Sequence, residues 1–240
     1  MRIEVTASAA EVAFFELKNT VAVVIDVLRA TSVIASAFEN GAKNIYPTVE
    51  VEEARELASS ILRDNPSSKV LLAGERSALK ISGFDLSNSP LEFTSGVVSG
   101  AKIVMTTTNG TRALNAASAS DQVFIGCLRN AKAVAEAIKG CNDVILICSG
   151  TENRVDISDC MAAGAIIHEL EQMGLSLEMG DMALMCSDYF NLNSYEQRIR
   201  DSRHGKRLLN LGLDDDLKYC TRLNVSRIVP LYDGVRIKLC

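Results

Sequence analysis

The residues best equipped for chemistry in this 240-residue chain stand where apolar runs end. Val23-Val24-Ile25 runs into Asp26-Val27-Leu28-Arg29-Ala30-Thr31-Ser32, and Leu71-Leu72-Ala73-Gly74 into Glu75-Arg76-Ser77. Ile103-Val104-Met105 leads into Thr106-Thr107-Thr108-Asn109-Gly110-Thr111, and Ile145-Leu146-Ile147-Cys148 into Ser149-Gly150-Thr151. A carboxylate that closes a fully apolar strand is costly unless something compensates its charge, and a cation is the natural partner. Mg²⁺ takes one or two carboxylates together with waters and phosphate oxygens. Asp26, Glu75 and Asp159 are therefore the candidate metal ligands, with Asp156 in reserve. Arg29 and Arg76 each follow a strand end beside an acid, and a guanidinium fork suits phosphate, sulfonate or carboxylate. An internal salt bridge, Asp26–Arg29 or Glu75–Arg76, is the plainer alternative. Thr31, Ser32, Thr107, Thr108 and Thr111 add hydroxyls at the starts of helices, where free N–H groups favour anions. Asn109-Gly110 permits a tight turn that lets backbone approach a ligand. Ordinary helix capping explains any one of these loops, but four threonines with Asn and Gly in a single loop exceed what a cap requires. The chemistry implied is metal-assisted reaction of a phosphorylated, multiply anionic small molecule.

Other phosphate signatures mostly fail. The chain has neither Gly-x-x-x-x-Gly-Lys-[Ser/Thr] nor Gly-x-Gly-x-x-Gly, so an NTPase loop and a dinucleotide fingerprint are unsupported. Position 28 is Leu, where an aspartyl-phosphate phosphatase carries a second Asp. Cys148 and Arg154 have the Cys-x₅-Arg spacing of cysteine-dependent phosphatases, although Glu152 inside that loop opposes a phosphate. A buried strand cysteine is the alternative for Cys148. His168 reads as a packed helix residue, whereas His204, in the basic stretch Ser202–Arg207, either faces an anionic site or is solvated surface.

These loops need a scaffold that brings them together. Val/Ile-rich runs at Thr20–Asp26, Lys43–Pro47, Lys69–Glu75, Ala101–Thr107, Gln122–Cys127 and Asp143–Ser149 alternate with helical patterns near Ser32–Asn40, Val51–Arg63, Gly110–Ala119, Ala131–Lys139 and Ser158–Met173. Near-continuous apolar strands alternating with helices predict an α/β fold, three layers with helices on both faces of a mostly parallel sheet. Arg2–Thr6 is expected as an edge strand, the stretch from Asp181 as helical, and Arg227–Leu239 as two short strands around a turn. With four prolines and no linker, residues 1–240 read as a single domain. In open α/β sheets ligands bind beyond the carboxyl ends of strands, so Asp26, Arg29, Glu75, Arg76 and Thr108 are expected in one pocket.

Composition narrows the partners. Twenty-five Lys+Arg against 30 Asp+Glu give a net charge of −5, which argues against general nucleic-acid or membrane-surface binding. No apolar run approaches the ~18 residues of a membrane span, and no apolar signal region opens the chain. The seven scattered cysteines, at 127, 141, 148, 160, 186, 220 and 240, suit a reducing cytoplasm rather than a disulfide framework.

Asp26-Val-Leu-Arg-Ala-Thr-Ser32, Gly74-Glu75-Arg76, Gly83-Phe-Asp-Leu-Ser-Asn-Ser-Pro90, Thr106-Thr-Thr-Asn-Gly-Thr-Arg112, Cys148-Ser-Gly-Thr151, Asp159-x₃-Ala163-Gly164 and Ser202-Arg-His-Gly205 occur in that order, before a late Val229-Pro230. The series resembles the 2-phosphosulfolactate phosphatase (ComB) family over nearly the whole chain. The resemblance implies that family's own α/β fold and Mg²⁺-dependent hydrolysis of 2-phospho-3-sulfolactate to 3-sulfolactate and phosphate, a step towards coenzyme M. Ser158 departs from the Glu that family often carries there, and Cys-Ser-Gly from its Cys-Ala-Gly. On this reading Asp26, Arg29 and Glu75 are catalytic, and Asp26, Asp159 and Glu75 hold Mg²⁺. Thr31, Ser32 and Thr107–Thr111, Asn109 and Gly110 included, bind the phosphoryl group, while Arg76 takes the sulfonate or carboxylate. The expected enzyme is cytoplasmic and a homo-oligomer, a homodimer in its simplest form. A non-catalytic binder of an anionic metabolite is the rival from another class, and catalysis through Cys148 and Arg154 the rival mechanism.

Overall fold

A computed structural model describes residues 1–192 and 194–239, so Cys240 lies outside the described residues. The strands are β1 (Arg2–Thr6), β2 (Val21–Ile25), β3 (Asn44–Thr48), β4 (Val70–Arg76), β5 (Leu79–Lys80), β6 (Lys102–Thr106), β7 (Gln122–Gly126), β8 (Asp143–Cys148), β9 (Glu178–Met179), β10 (Pro230–Tyr232) and β11 (Ile237–Leu239). The helices are α1 (Ala30–Glu39), α2 (Val51–Asp64), α3 (Ser95–Val98), α4 (Gly110–Ala116), α5 (Ala131–Ile138), α6 (Ile157–Gln172), α7 (Asp181–Leu192), α8 (Tyr195–Asp201), α9 (Arg203–Asn210) and α10 (Asp214–Cys220).

Both faces of the central strands are apolar because both are covered. In β2, Val23 and Ile25 pack with β8 residues Val144, Leu146 and Cys148 and with α5 and α6 on one side. Ala22 and Val24 pack with α1 and α4 on the other. A third cluster sets Ala54 and Ala58 of α2 against Val104 and Phe84. The result is a large, mostly parallel sheet flanked by helices, the three-layer α/β/α arrangement.

The strand order is β5-β4-β6-β3-β11-β10-β7-β2-β8-β1-β9. The expected C-terminal hairpin is present, but it lies mid-sheet, where β11 pairs antiparallel with β3 and β10 antiparallel with β7. Arg2–Thr6 is likewise not the edge, since β1 pairs with β8 on one side and β9 on the other. The three antiparallel steps from β3 to β7 reverse direction, so a flat sheet would put the ends of β6 and β2 on opposite edges. Five steps separate those strands. At roughly 20–25° of twist per step they rotate by about 100–125°, leaving the opposed halves about 55–80° apart. The carboxyl ends of β2, β4, β6 and β8 nevertheless open onto one pocket.

Helix α6 carries the buried Asp159 and is capped by Asp156, and it packs closely on α7. A Cβ at Gly164 would collide with the Cys186 carbonyl of α7 and approach Phe190 Cβ to 2.7 Å. Gly164→Ala should therefore force the two helices apart and destabilise the protein by about 1–3 kcal/mol, read as a lowered urea midpoint in equilibrium unfolding. An unchanged midpoint would show that this contact does not limit the packing.

Candidate active site

The pocket has a volume of about 260 Å³. The β2 loop contributes Asp26 and Arg29, the end of β4 Glu75 and Arg76, and the β6 loop Thr107, Thr108 and Asn109. The β8 loop adds Thr151 and Glu152, helix α9 adds His204 and Arg207, and Asn88 comes from the segment before Pro90. Asp26, Arg29, Glu75, Arg76 and Thr108 thus share one pocket. Its acids, however, are committed very unequally.

Glu75 braces loops. Its Oε1 accepts from Thr108 N at 2.9 Å and Thr108 Oγ1 at 2.8 Å, and its Oε2 from Ala78 N at 2.7 Å. Asp159 is not brought into the pocket. It is 3% exposed and accepts from Val27 N at 2.9 Å and Gly150 N at 3.1 Å, tying the β2 loop to the β8 loop. Burial, with the charges of Asp156 and Asp26, raises its carboxyl well above the usual range. The reading of Asp159 as a metal ligand is corrected accordingly, because both of its oxygens already face backbone donors. Among the described residues no three His, Cys, Asp or Glu side chains gather as a metal cluster.

Asp26 differs. Its Oδ1 accepts from Ala30 N at 3.3 Å, and its Oδ2 has no hydrogen-bond donor among the described residues. Gly110 makes room for that oxygen, since a Cβ there would lie 3.0 Å from Oδ2 and 2.7 Å from Ala30 Cβ. Burial raises the Asp26 carboxyl, His204 lowers it and Asp156 raises it again, with a net value of about 6. Asn88, 4% exposed, also keeps a buried Oδ1 without a partner. Two residues that line the pocket, Asp26 and Asn88, thus each keep an oxygen without a donor among the described residues.

The expected hydroxyl donors divide. Thr31 Oγ1 donates to Asp26 O at 2.8 Å, Ser32 Oγ to Val27 O at 2.8 Å and Thr111 Oγ1 to Thr107 O at 2.8 Å. All three are nearly fully buried and serve their own turns, which corrects their reading as substrate ligands. Thr107, Thr108 and Asn109 do line the pocket, and Gly110 supports it from behind.

Both arginines are held as well. Arg29, 2% exposed, pairs with Asp216 of α10 at 2.6 Å and donates to Ala78 O at 2.9 Å. Its partner is neither Asp26 nor a free anion, because the buried Asp216 carboxylate, also bonded by Ser89 Oγ at 2.6 Å, claims it first. Arg76 donates to Glu75 O, to Val49 O at 2.6 Å and to Thr106 Oγ1. The alternative Cys148/Arg154 pair is not assembled. Cys148 is fully buried, and its hydrogen bond with Cys160, together with burial, raises the thiol well above its ordinary value. Arg154 turns back in a Thr151–Arg154 hairpin and lines a separate cleft.

Sequence alone leaves His204 between an anionic site and solvated surface and gives Asp156 only a reserve role as a metal ligand. Asp156 caps α6, accepting at Oδ1 from Ser158 N at 2.9 Å and Ser158 Oγ at 2.6 Å. Its Oδ2 meets Thr151 Oγ1 and His204 Nδ1, each at 2.7 Å. Burial favours neutral forms of both groups, but the hydrogen bond and the mutual charge prevail. They hold Asp156 at about 2 and raise His204 above its ordinary 6.5. The Ser202-Arg-His-Gly205 segment carried the signal, but its partner lies 48 residues away.

The family described as 2-phosphosulpholactate phosphatase matches residues 7–234 of the chain. A "probable 2-phosphosulfolactate phosphatase" of Clostridium tetani is 41% identical over 239 residues, covering 99% of this chain and all of its own. Proteins of the same name from Clostridium perfringens and Caldanaerobacter subterraneus subsp. tengcongensis are 43% and 44% identical, covering 99% and 92% of this chain and 96% and 91% of their own.

The Asp156–His204 pair predicts a pH window for stability. A raised His204 contributes fully below pH 6.5 and loses that contribution as pH rises through its folded value. A lowered Asp156 contributes fully above pH 3.8 and loses it as pH falls towards 2. The destabilisation caused by Asp156→Asn, measured by urea unfolding in EDTA, should therefore be largest between about pH 3.8 and 6.5 and shrink on either side. A penalty independent of pH would mean that the pair is not ionic.

Proposed function

The chain belongs to the 2-phosphosulpholactate phosphatase family, and from that premise we propose that it is a phosphoric monoester hydrolase that cleaves 2-phospho-3-sulfolactate with Mg²⁺. The observation that carries this reading is Asp26, a buried carboxylate in a pocket of strand-end loops, with one oxygen lacking a donor and the Asp156–His204 pair acting on its charge.

The charge balance supports a divalent cation. The pocket is lined by three carboxylates (Asp26, Glu75, Glu152) and three guanidinium groups (Arg29, Arg76, Arg207), and Asp216 also neutralises Arg29. A substrate bearing phosphate, sulfonate and carboxylate would meet no net positive charge from these groups. The donor set fits Mg²⁺, which needs only one or two protein oxygens when waters and phosphate oxygens complete its shell. Asp26 Oδ2 and the orphaned Asn88 Oδ1 are the oxygens available. When bound, the ion would neutralise charge on the transferring phosphoryl group.

The chain's own residues supply the rest. Glu75 fixes Thr108, and with it the loop Thr107–Asn109, against which the phosphoryl oxygens rest. Asp156 holds the His204 imidazole by Nδ1 and favours its protonated form, the form that can donate a proton to the departing sulfolactate oxygen. A cytoplasmic, homo-oligomeric enzyme of coenzyme M biosynthesis belongs to the same reading.

Asp26→Asn preserves shape while removing charge. It should weaken Mg²⁺ binding by roughly 10–100-fold or more and abolish most of the thermal stabilisation that Mg²⁺ gives. Wild-type phosphate release should vanish in EDTA and return with Mg²⁺; tight binding without turnover would instead favour a non-catalytic binder. Full Mg²⁺ stabilisation in Asp26→Asn would remove Asp26 as the ligand.

His204→Gln should lower kcat for 2-phospho-3-sulfolactate by about 10²–10⁴-fold and much less for an aryl phosphate, whose leaving group departs without a proton. Equal losses on both substrates would deny His204 the acid role.

A further inference from the structure

Arg207 is the pocket's one guanidinium that the protein leaves uncommitted among the described residues. Arg29 is paired with Asp216 and Arg76 is held by three acceptors, but Arg207 has no acidic group within ion-pair distance. It stands three residues after His204 on α9, so both side chains share one helix face, and both line the pocket. The charge of Arg207 reaches His204, where it opposes protonation. Glu152 lines the same pocket yet forms no ion pair with it. Beyond Arg207 the pocket continues into a basic groove lined by Ser77, Arg203, Lys206 and Asn210. In a chain of net charge −5, Arg203, Lys206 and Arg207, within little more than one turn of α9 and without acidic partners among the described residues, form a local positive edge at the pocket mouth.

We infer that Arg207 is a specificity-determining residue that grips the non-transferred anionic group of the substrate, with Arg203 and Lys206 raising the local potential along its approach. This rests on the phosphatase reading of the pocket but assigns a different task from that of Asp26 or His204. A guanidinium fork meets two oxygens of a sulfonate or carboxylate at once, and its location on α9 separates that grip from the strand loops around the phosphoryl group. The role originally given to Arg76 thereby passes to Arg207, because the backbone and Thr106 already occupy the Arg76 fork.

The test compares Arg207→Gln with wild type on three esters and a control: 2-phospho-3-sulfolactate, 2-phospholactate (no sulfonate), 2-sulfoethyl phosphate (no carboxylate) and phenyl phosphate (neither). For the full substrate, kcat/KM should fall roughly 10–100-fold, mainly through KM, and several-fold at most for phenyl phosphate. Arg207→Lys should recover part of the difference. The truncated ester whose kcat/KM loses its sensitivity to Arg207 identifies which anion is gripped. Calorimetric binding of 3-sulfolactate, which requires no turnover, should weaken in Arg207→Gln to the same degree. If wild type binds 3-sulfolactate in an Arg207-dependent way but hydrolyses none of the esters, the grip stands and the phosphatase reading falls. Equal losses on all four esters, or unaltered 3-sulfolactate binding, would overturn the proposal.

Discussion

A carboxylate can be buried at the end of an apolar strand only if its oxygens are answered, and that requirement organises the whole site. Five acids around the pocket are at least nine-tenths buried: Asp26, Glu75, Asp156, Asp159 and Asp216. Four of them answer both oxygens within the protein. Glu75 takes Thr108 and Ala78, Asp159 takes Val27 and Gly150, Asp216 takes Arg29 and Ser89, and Asp156 takes Ser158, Thr151 and His204. Each arrangement ties together loops that are distant in sequence, and removing one partner of such a buried group costs several kcal/mol. Only Asp26 retains an oxygen without a donor among the described residues. The four satisfied acids brace the loops to one another, which leaves Asp26 alone among the five with an open oxygen.

The same requirement explains why the hairpin of β10 and β11 matters although it contains no site residue. Inserted between β3 and β7, it joins two parallel halves that run in opposite senses. Sheet twist reduces the angle between those halves, and their carboxyl ends line one pocket. An acid at the end of β4 can consequently hold the loop after β6, while an acid on α6 holds the loops after β2 and β8.

Local properties were legible in the sequence. The strand runs, the α2 and α6 patterns and the polar cluster after each strand follow from residue type and period, and the structure has those elements within a few residues of the expected limits. The expectation that four strand ends share a pocket rested on a general property of α/β sheets, and the pocket has that composition. Illegible were the pairings that decide what each charged group does. Arg29 stands three residues from Asp26, yet its partner is Asp216, 187 residues away; Asp159 reaches back 132 residues to Val27. Spacing could nominate the acids and arginines, but it could not distinguish braces from free groups. Thr31, Ser32 and Thr111 illustrate the same limit at short range, since a hydroxyl at a helix start serves its own turn as readily as a ligand.

A division of labour follows from these pairings. The strand loops carry groups fixed by mutual hydrogen bonds, whereas the α9 face presents His204, oriented by a single carboxylate, and Arg207, held by none. Helix α9 is anchored by the His204–Asp156 pair and by contacts that involve no polar side chain facing the pocket, and Arg207 takes no part in either. Ser202 Oγ caps it by accepting from Gly205 N at 2.9 Å, Gly205 lies so close to the Ile199 carbonyl that a Cβ would collide with it, and Leu208 is fully buried. Arg207 can therefore change without leaving a buried partner unanswered, while neither His204 nor the acids of the strand loops can. On the proposed reading the strand loops cradle the phosphoryl group, while α9 supplies both the leaving-group acid His204 and, in Arg207, the grip on the anionic tail.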